Sequence, residues 1–461
     1  MVHKLICAMA LTLAIPGSAW AQAPSDDPVV RGLLDDAAAA SPEVAQARAE
    51  VEAQKARVPQ AGAPPDPSLT LGIQNDGFKR IAIGVMDTSF FNIMLTQPLP
   101  WPGKRGLREQ VASFDARQSE ARLARVMLGL EGRVRRAYVG LLLTRGQLEL
   151  LGEQEQLWAQ AGQTARTRYE SGQVPQSDLL RAQLEGARLQ QRRWALEADA
   201  TTRLAELNRL RVRPLDELVG TGTATRDMLD PVLPPEQEAQ ADAEARSPEI
   251  LLASLGVEQA GRRVELARKE QRPDFAVTAA VMPRGSIEPM WSLNVSVGLP
   301  IFAGRKQARA VDESDQRRIG ETQAAEAIRQ ILRLRTRERL AVLAALNRTN
   351  DYYRHQTLVL SAAAAKSTLA QYGVGRVPFA SVLEALSGYI ADRANYLGSK
   401  ADAQLVAIAQ RELSLDPVPA LGGGAASAAM PNSGAQTGMA STAQPTNLSG
   451  SAAQARAPGG M

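Results

Sequence analysis

Cysteine is almost missing from this chain of 461 residues: the only one is Cys7, close to the N-terminus. No disulfide framework can therefore be built, and stability must come from packing. Histidine is as scarce, with only His3 and His355. That excludes a His/Cys metal cluster and leaves His355 without a histidine partner for triad chemistry. On a helix of mixed polarity, His355 reads as a surface or packing residue. Aromatics make up 4%, too few for a broad globular core, and the abundant Ala, Leu, Gln and Arg suit long helices instead. Past residue 23 no stretch approaches the roughly 20 apolar residues that a helix needs to cross a bilayer. The net charge of +4 is small for this length and both signs are interspersed, so there is no electrostatic footprint for nucleic acid.

The N-terminus reads as an export signal over residues 1–21. His3 and Lys4 form a short polar start, Leu5 to Ile15 an apolar segment, and Pro16-Gly17 a break. Ala19-Trp20-Ala21 then fits the small-x-small pattern of signal peptidase, with cleavage after Ala21, and Ala21-Gln22-Ala23 offers a second choice after Ala23. Cys7 lies inside this segment with no apolar stretch before it, so it does not read as a lipid anchor, and the mature chain has no cysteine. At the other end, residues 417–461 are rich in Gly, Ala and Ser, and Arg456 is their only charge. Such composition cannot bury a core, and this tail is expected to be disordered.

Between these ends the chain repeats itself. Ser41-Pro42-Glu43 recurs as Ser247-Pro248-Glu249, an offset of 206. Serine as N-cap, proline at the first helical position and an acid in the first turn all open a helix. Leu99-Pro100 recurs as Leu299-Pro300, an offset of 200. Tyr169, Gly172, Val174, Pro175 and Leu180 recur as Tyr372, Gly375, Val377, Pro378 and Leu383, an offset of 203. Three anchors in the same order mark an internal duplication. The first unit covers 30–212, a linker 213–235, and the second unit 236–416.

Each unit carries two short segments of alternating polarity, at about 68–75 and 89–99, then 273–283 and 290–302. Leu69, Leu71 and Ile73 alternate with polar or small residues, and so do Phe91, Ile93 and Leu95. Phe275, Val277, Ala279 and Val281 form a third apolar row, and Trp291, Leu293, Val295, Val297 and Leu299 a fourth. This period fits strands between lipid and a wet lumen; for any one segment, a half-buried strand of a soluble sheet fits as well.

The helices between them are long. No proline occurs from Gly106 to Glu170, enough for a rod of roughly 100 Å. Leu123, Met127, Leu130, Val134, Ala137, Leu141, Thr144, Leu148 and Leu151 form a coiled-coil seam along it. A second proline-poor stretch runs from about Arg305 to Gln371, and shorter helices return after each. Ser171 to Pro175 and Gly373 to Pro378 make the hairpin tips between them.

Four strands cannot close a barrel, and an open sheet edge facing lipid is not viable. Several chains must therefore pool their strands; three would give twelve. Phe90 and Trp291 at one end of the strands, and Trp101 and Phe302 at the other, suit the interfacial girdles of a membrane barrel. Pro100-Trp101-Pro102-Gly103 stops a strand and turns the chain, which sets Lys104 and Arg105 at the periplasmic headgroup level.

Over residues 30 to 415 the chain resembles the TolC family of outer-membrane efflux proteins. The matching segments are Ser41-Pro42-Glu43, Leu99 to Arg105, Tyr169-Glu170-Ser171-Gly172, Leu207-Asn208 with Arg213-Pro214-Leu215-Asp216, Gly298 to Phe302, and Tyr372 to Leu383. The resemblance implies a mainly helical fold: a homotrimer with a 12-stranded barrel in the outer membrane of a Gram-negative bacterium and a periplasmic α-barrel of helical hairpins. It also implies outer-membrane lipid, a periplasmic adaptor and an inner-membrane pump as partners, and no cofactor. The tips would meet the adaptor through Gly172, Gln173, Val374, Gly375 and Arg376, where the family's Val-Gly-Leu-like turn is only partly kept. Glu384 is the acid nearest the second tip and Asp178 lies near the first, and these two are the candidates for a periplasmic gate. Pro100 to Arg105 is similar to members that serve heavy-metal exporters of the CusC and CzcC type, with drug efflux or type I secretion as alternatives. A periplasmic coiled-coil scaffold or adaptor without a barrel is the competing class. No enzymatic activity is expected, since a tube of coiled coils offers no obvious pocket.

Overall fold

The computed structural model describes residues 28–222 and 224–418; the signal segment and nearly all of the Gly/Ala/Ser-rich tail lie outside them. Two short helices lead in, α1 (Pro28–Ala40) and α2 (Pro42–Gly62), and a hairpin of strands follows, β1 (Ser68–Gln74) and β2 (Phe90–Leu99). The chain then enters α3 (Lys104–Glu170) and returns in α4 (Gln176–Leu210). The second unit repeats the plan with α5 (Glu236–Arg246), α6 (Pro248–Lys269), β3 (Phe275–Arg284), β4 (Ile287–Val297), α7 (Gln307–Tyr352), α8 (Leu358–Gly373) and α9 (Phe379–Glu412). The fold is mainly helical with one small sheet.

Local chemistry explains the repeated helix starts. Ser41 Oγ accepts the amide of Val44 at 3.4 Å and Ser247 Oγ that of Ile250 at 3.3 Å. In each case proline follows where no amide partner is needed. The 67 residues of α3 give a rod of about 100 Å. Six residues of its seam (Leu130, Val134, Ala137, Leu141, Thr144 and Leu151) are buried, while Met127 is exposed. Tyr138, Val139, Leu142 and Trp158 are buried on other faces, because α3 packs in turn against α2, α6, α4 and α9.

The second long helix is not uniform. A single π-helical turn, Tyr353–Thr357, joins α7 to α8. Such a turn absorbs an extra residue without breaking the rod. The duplicated anchors drift from an offset of 200 at the strand ends to 203 at the tips, and this turn takes up part of that difference. His355 lies on it, exposed, with Nδ1 3.0 Å from Asp351 Oδ1.

The linker is fastened to the second unit. Asp230 accepts from Lys400 Nζ at 3.1 Å, Asn350 Nδ2 at 3.0 Å and Arg354 Nη2 at 3.2 Å. Gln404 Nε2 donates to Leu229 O at 2.7 Å. Lys400 is buried, so this linker fills a gap between α7 and α9 instead of hanging free.

Candidate membrane face and periplasmic mouth

The strands form one antiparallel sheet in the order β1-β2-β3-β4. Its register aligns the apolar residues into rows. Ile73 lies opposite Phe91; Leu71, Ile93, Val281 and Trp291 form the next row; Leu69, Leu95, Ala279 and Leu293 the next. Gln97, Val277 and Val295 follow, then Leu99, Phe275 and Val297. From Phe91 to Leu99 is eight residue steps, which at the usual rise and strand tilt spans about 20–27 Å. That is the height of a hydrocarbon core. The other face carries Asn92, Thr96, Thr278, Ser292, Asn294 and Ser296, with Thr96 and Thr278 hydroxyls 3.1 Å apart.

The apolar face is bare. Leu293 is 64% exposed and Trp291 77%, and Leu69, Leu71, Ile73, Ile93, Leu95, Val281 and Val295 are exposed with them. A contiguous apolar surface of this extent is not stable in water and marks a partner or a membrane. The outer edges of β1 and β4 have no strand beside them among the described residues.

At the base of the sheet a buried clamp joins the two units. Lys104, 1% exposed, donates to Arg272 O at 2.9 Å and Asp274 Oδ1 at 2.9 Å, with Glu270 Oε2 at 3.0 Å. The Trp101 amide also donates to Asp274 Oδ1 at 2.7 Å, and the Trp101 ring stacks on Phe275 at 5.6 Å. Burial raises the pKa of Asp274, but the Lys104 and Trp101 hydrogen bonds outweigh it and hold the carboxyl below its ordinary value. Lys104 thus points into the protein, not outward to a headgroup. Its neighbour Arg105 is exposed and donates to Gly62 O at 2.9 Å. Phe90 is half-buried at the start of β2, opposite Gln74. Phe302 is exposed in the turn after β4, which ends at Val297 and not at 302, because Pro300 lacks the amide that a ladder needs.

At the far end of the rods the two hairpin tips share one geometry. The amide of Gly172 donates to Tyr169 O and that of Gly375 to Tyr372 O; Gln173 donates to Arg168 O and Arg376 to Gln371 O. Both glycines have positive φ, +72° and +76°, the left-handed value that ends helices this way. Val374 is exposed. Arg168 ties the tips together: Nη1 donates to Tyr372 O at 2.5 Å, the guanidinium sits 4.8 Å over the Tyr372 ring, and Nε donates to Gln173 at 3.4 Å. Tyr372 is fully buried against Phe379. Burial, and then the nearby Asp178 carboxylate, push its phenol up. Asp178 is buried beside this cluster, whereas Glu384 is exposed on α9.

Sequence reasoning brings Asp178 and the tip glycines to one place, and the fold adds Arg168 and Tyr372. Tyr372 was visible as a duplicated anchor; the reach of Arg168 across the chain had no local signal. Asp274 could have been found as an acid at the strand end next to Lys104. Among the described residues no helix is long and apolar enough to cross a membrane, and no group of His, Cys, Asp and Glu could hold a metal.

Comparison with known proteins agrees with this geometry. The family model described as outer membrane efflux protein matches residues 33–211. No curated protein matches. Among solved structures, a membrane protein from Pseudomonas aeruginosa is 18% identical with a TM-score of 0.71, over 86% of this chain and 96% of its own. The open-state MtrE outer membrane channel of Neisseria gonorrhoeae is 18% identical with a TM-score of 0.69, over 84% of this chain and 89% of its own. CusC, whose structures follow transmembrane channel formation, is 16% identical with a TM-score of 0.69, over 83% and 91%. The first unit thus matches the model of the outer membrane efflux protein family, and the chain shares the fold of these channels through both units.

Proposed function

We propose that this chain is one subunit of a passive outer-membrane exit duct, loaded by an inner-membrane pump through a periplasmic adaptor. The observation that carries the reading is the bare apolar face of the sheet, five rows high, with the outer edges of β1 and β4 unpaired among the described residues. Three copies pair β4 of one with β1 of the next into twelve strands, which satisfies every edge and gives the apolar face to lipid. Export by the segment at 1–21 delivers the chain to the periplasm. Trp101, Trp291, Phe302 and Arg105 suit the two interfaces of such a barrel, whereas Phe90 falls on the polar face with Asn92 and Thr96 and so faces the lumen.

The hairpin tips carry the adaptor contact, at Gly172, Gln173, Val374, Gly375 and Arg376. Asp178, with Tyr372 and Arg168, forms the candidate latch of the mouth, and Glu384 faces the open space beside it. Tyr169, the repeat-mate of buried Tyr372, is 40% exposed, as suits a ring in which a neighbouring hairpin covers it. The cargo is set by the pump; the likeness of the strand-end segment Pro100 to Arg105 to members that serve heavy-metal exporters supports heavy-metal cations.

Membrane extraction tests the duct. The mature protein should require detergent and run as a heat-modifiable trimer; release by salt or alkali alone would instead support a periplasmic scaffold. Deletion of the gene should change metal tolerance and leave drug tolerance unchanged, and the reverse pattern would sink the metal reading.

A further inference from the structure

We propose that a small cavity between the linker, α7 and α9 is a binding site for one monovalent anion of halide size, held by Arg339 and Gln410. Arg339 is 1% exposed and Gln410 4%. Both line a cavity of about 30 Å³ whose other walls include Pro231, Val232, Leu343 and Val406. That is room for one group the size of a water molecule or a chloride ion.

One side of the Arg339 guanidinium is satisfied, since Nη2 donates to Ser414 O at 2.5 Å and to Asp416 O at 3.1 Å. Nε and Nη1 meet no acceptor among the described residues, and neither atom of the Gln410 amide has a partner. Carbonyl oxygens satisfy donors, but they do not neutralise a buried charge, and an uncompensated buried cation is costly. The carboxylates around it, Glu412, Asp416 and Glu338, favour its charge from a distance, but none forms an ion pair with it and each is engaged elsewhere. Glu412 pairs with Arg125 and Arg136, Glu338 with Arg335 at 2.7 Å, and Asp416 accepts from Ser414 Oγ at 2.6 Å. Residues 419–461 contain no Asp or Glu, so the tail has no side-chain carboxylate to offer. Burial, and then the neighbouring cation of Arg335, lower the Arg339 pKa to about 10. A cation held in a mostly apolar cavity, with three free N–H donors and a free amide beside it, matches a spherical monovalent anion better than a second cation or an apolar guest. An occupant there would bridge the linker to α7 and α9, and so would stabilise the folded chain.

The site is independent of what the duct carries. Crystals of the full-length protein grown in bromide should give an anomalous peak within hydrogen-bond distance of Arg339 and Gln410. No peak there, with water in the cavity or the Gln410 oxygen turned onto the guanidinium, overturns the proposal, and so does a carboxylate from a neighbouring copy. In solution, the thermal midpoint of the detergent-solubilised protein should lie a few degrees higher in sodium chloride than in sodium gluconate at equal ionic strength. Gln410→Leu, which keeps the buried cation, should reduce that difference, and Arg339→Met should abolish it. Equal midpoints in the two salts for the unaltered protein would also overturn it.

Discussion

Leu293 occupies the middle of the five apolar rows, level with Leu69, Leu95 and Ala279. If those rows span the bilayer, Leu293→Arg places a guanidinium at the membrane midplane. The cost there is about 2–4 kcal/mol per chain, so three copies in a trimer lose about 6–12 kcal/mol. The next residue, Asn294, lies on the opposite face, opposite Thr278. Asn294→Arg would put the same charge into a water-filled lumen, where it should cost little. The two variants therefore have equal charge, neighbouring positions and similar strand propensity, and differ only in the face they alter. Each would be expressed with its signal, fractionated, and run on gels with and without heating. Leu293→Arg should reduce the heat-modifiable outer-membrane trimer by at least tenfold, since about 1.4 kcal/mol already shifts an equilibrium that far. Asn294→Arg should leave it close to the unaltered level. Equal trimer yields for both variants, or a greater loss for Asn294→Arg, would refute the assignment of faces and the membrane barrel with it.

At the tips, Arg168→Ala removes a charged hydrogen bond and a cation–π contact to Tyr372, together about 2 kcal/mol. The open fraction of the mouth should rise roughly 30-fold by that arithmetic, read as conductance in planar bilayers; an unchanged conductance would exclude Arg168 from the latch. At the base of the sheet, Lys104→Met should destabilise by about 2 kcal/mol, because Asp274 and Glu270 lose their shared cation, and denaturant midpoints will measure it. The same clamp sets an acid limit. The folded carboxyl of Asp274 has a pKa below its ordinary value, so its contribution is complete above the ordinary value and is lost as pH falls through the folded one. Asp274→Asn should flatten the fall in stability over that window, and an unaltered acid profile would remove the clamp as its source.

Much of the architecture is local and therefore legible. Ser41 and Ser247 cap helices because serine followed by proline leaves few other options, and Gly172 and Gly375 end them through a backbone angle that glycine adopts without strain. Alternation across the four segments fixes two faces, because a strand's period of two cannot be mistaken once one side is apolar and the other polar. The duplication fixes the number of units. If the four strands face lipid they cannot close a barrel alone, so on that reading the sequence already requires several chains.

What the tertiary structure alone decided depends on contacts across the duplication. Lys104, beside a proline-rich strand end, read as a headgroup cation; a partner at Asp274, 170 residues later, turns it inward. Asp178, singled out in the sequence only for its place near the first tip, is buried because the second hairpin lays Tyr372 next to it. Arg168 reaches Tyr372 across 204 residues and Lys400 reaches Asp230 across 170. The offset drift from 200 to 203 was in the sequence, but the π-helical turn at Tyr353–Thr357 that takes up part of it was not. Local propensity fixes which element each residue joins. Which charge is buried depends on which distant partner can neutralise it, and only the packed fold sets that distance.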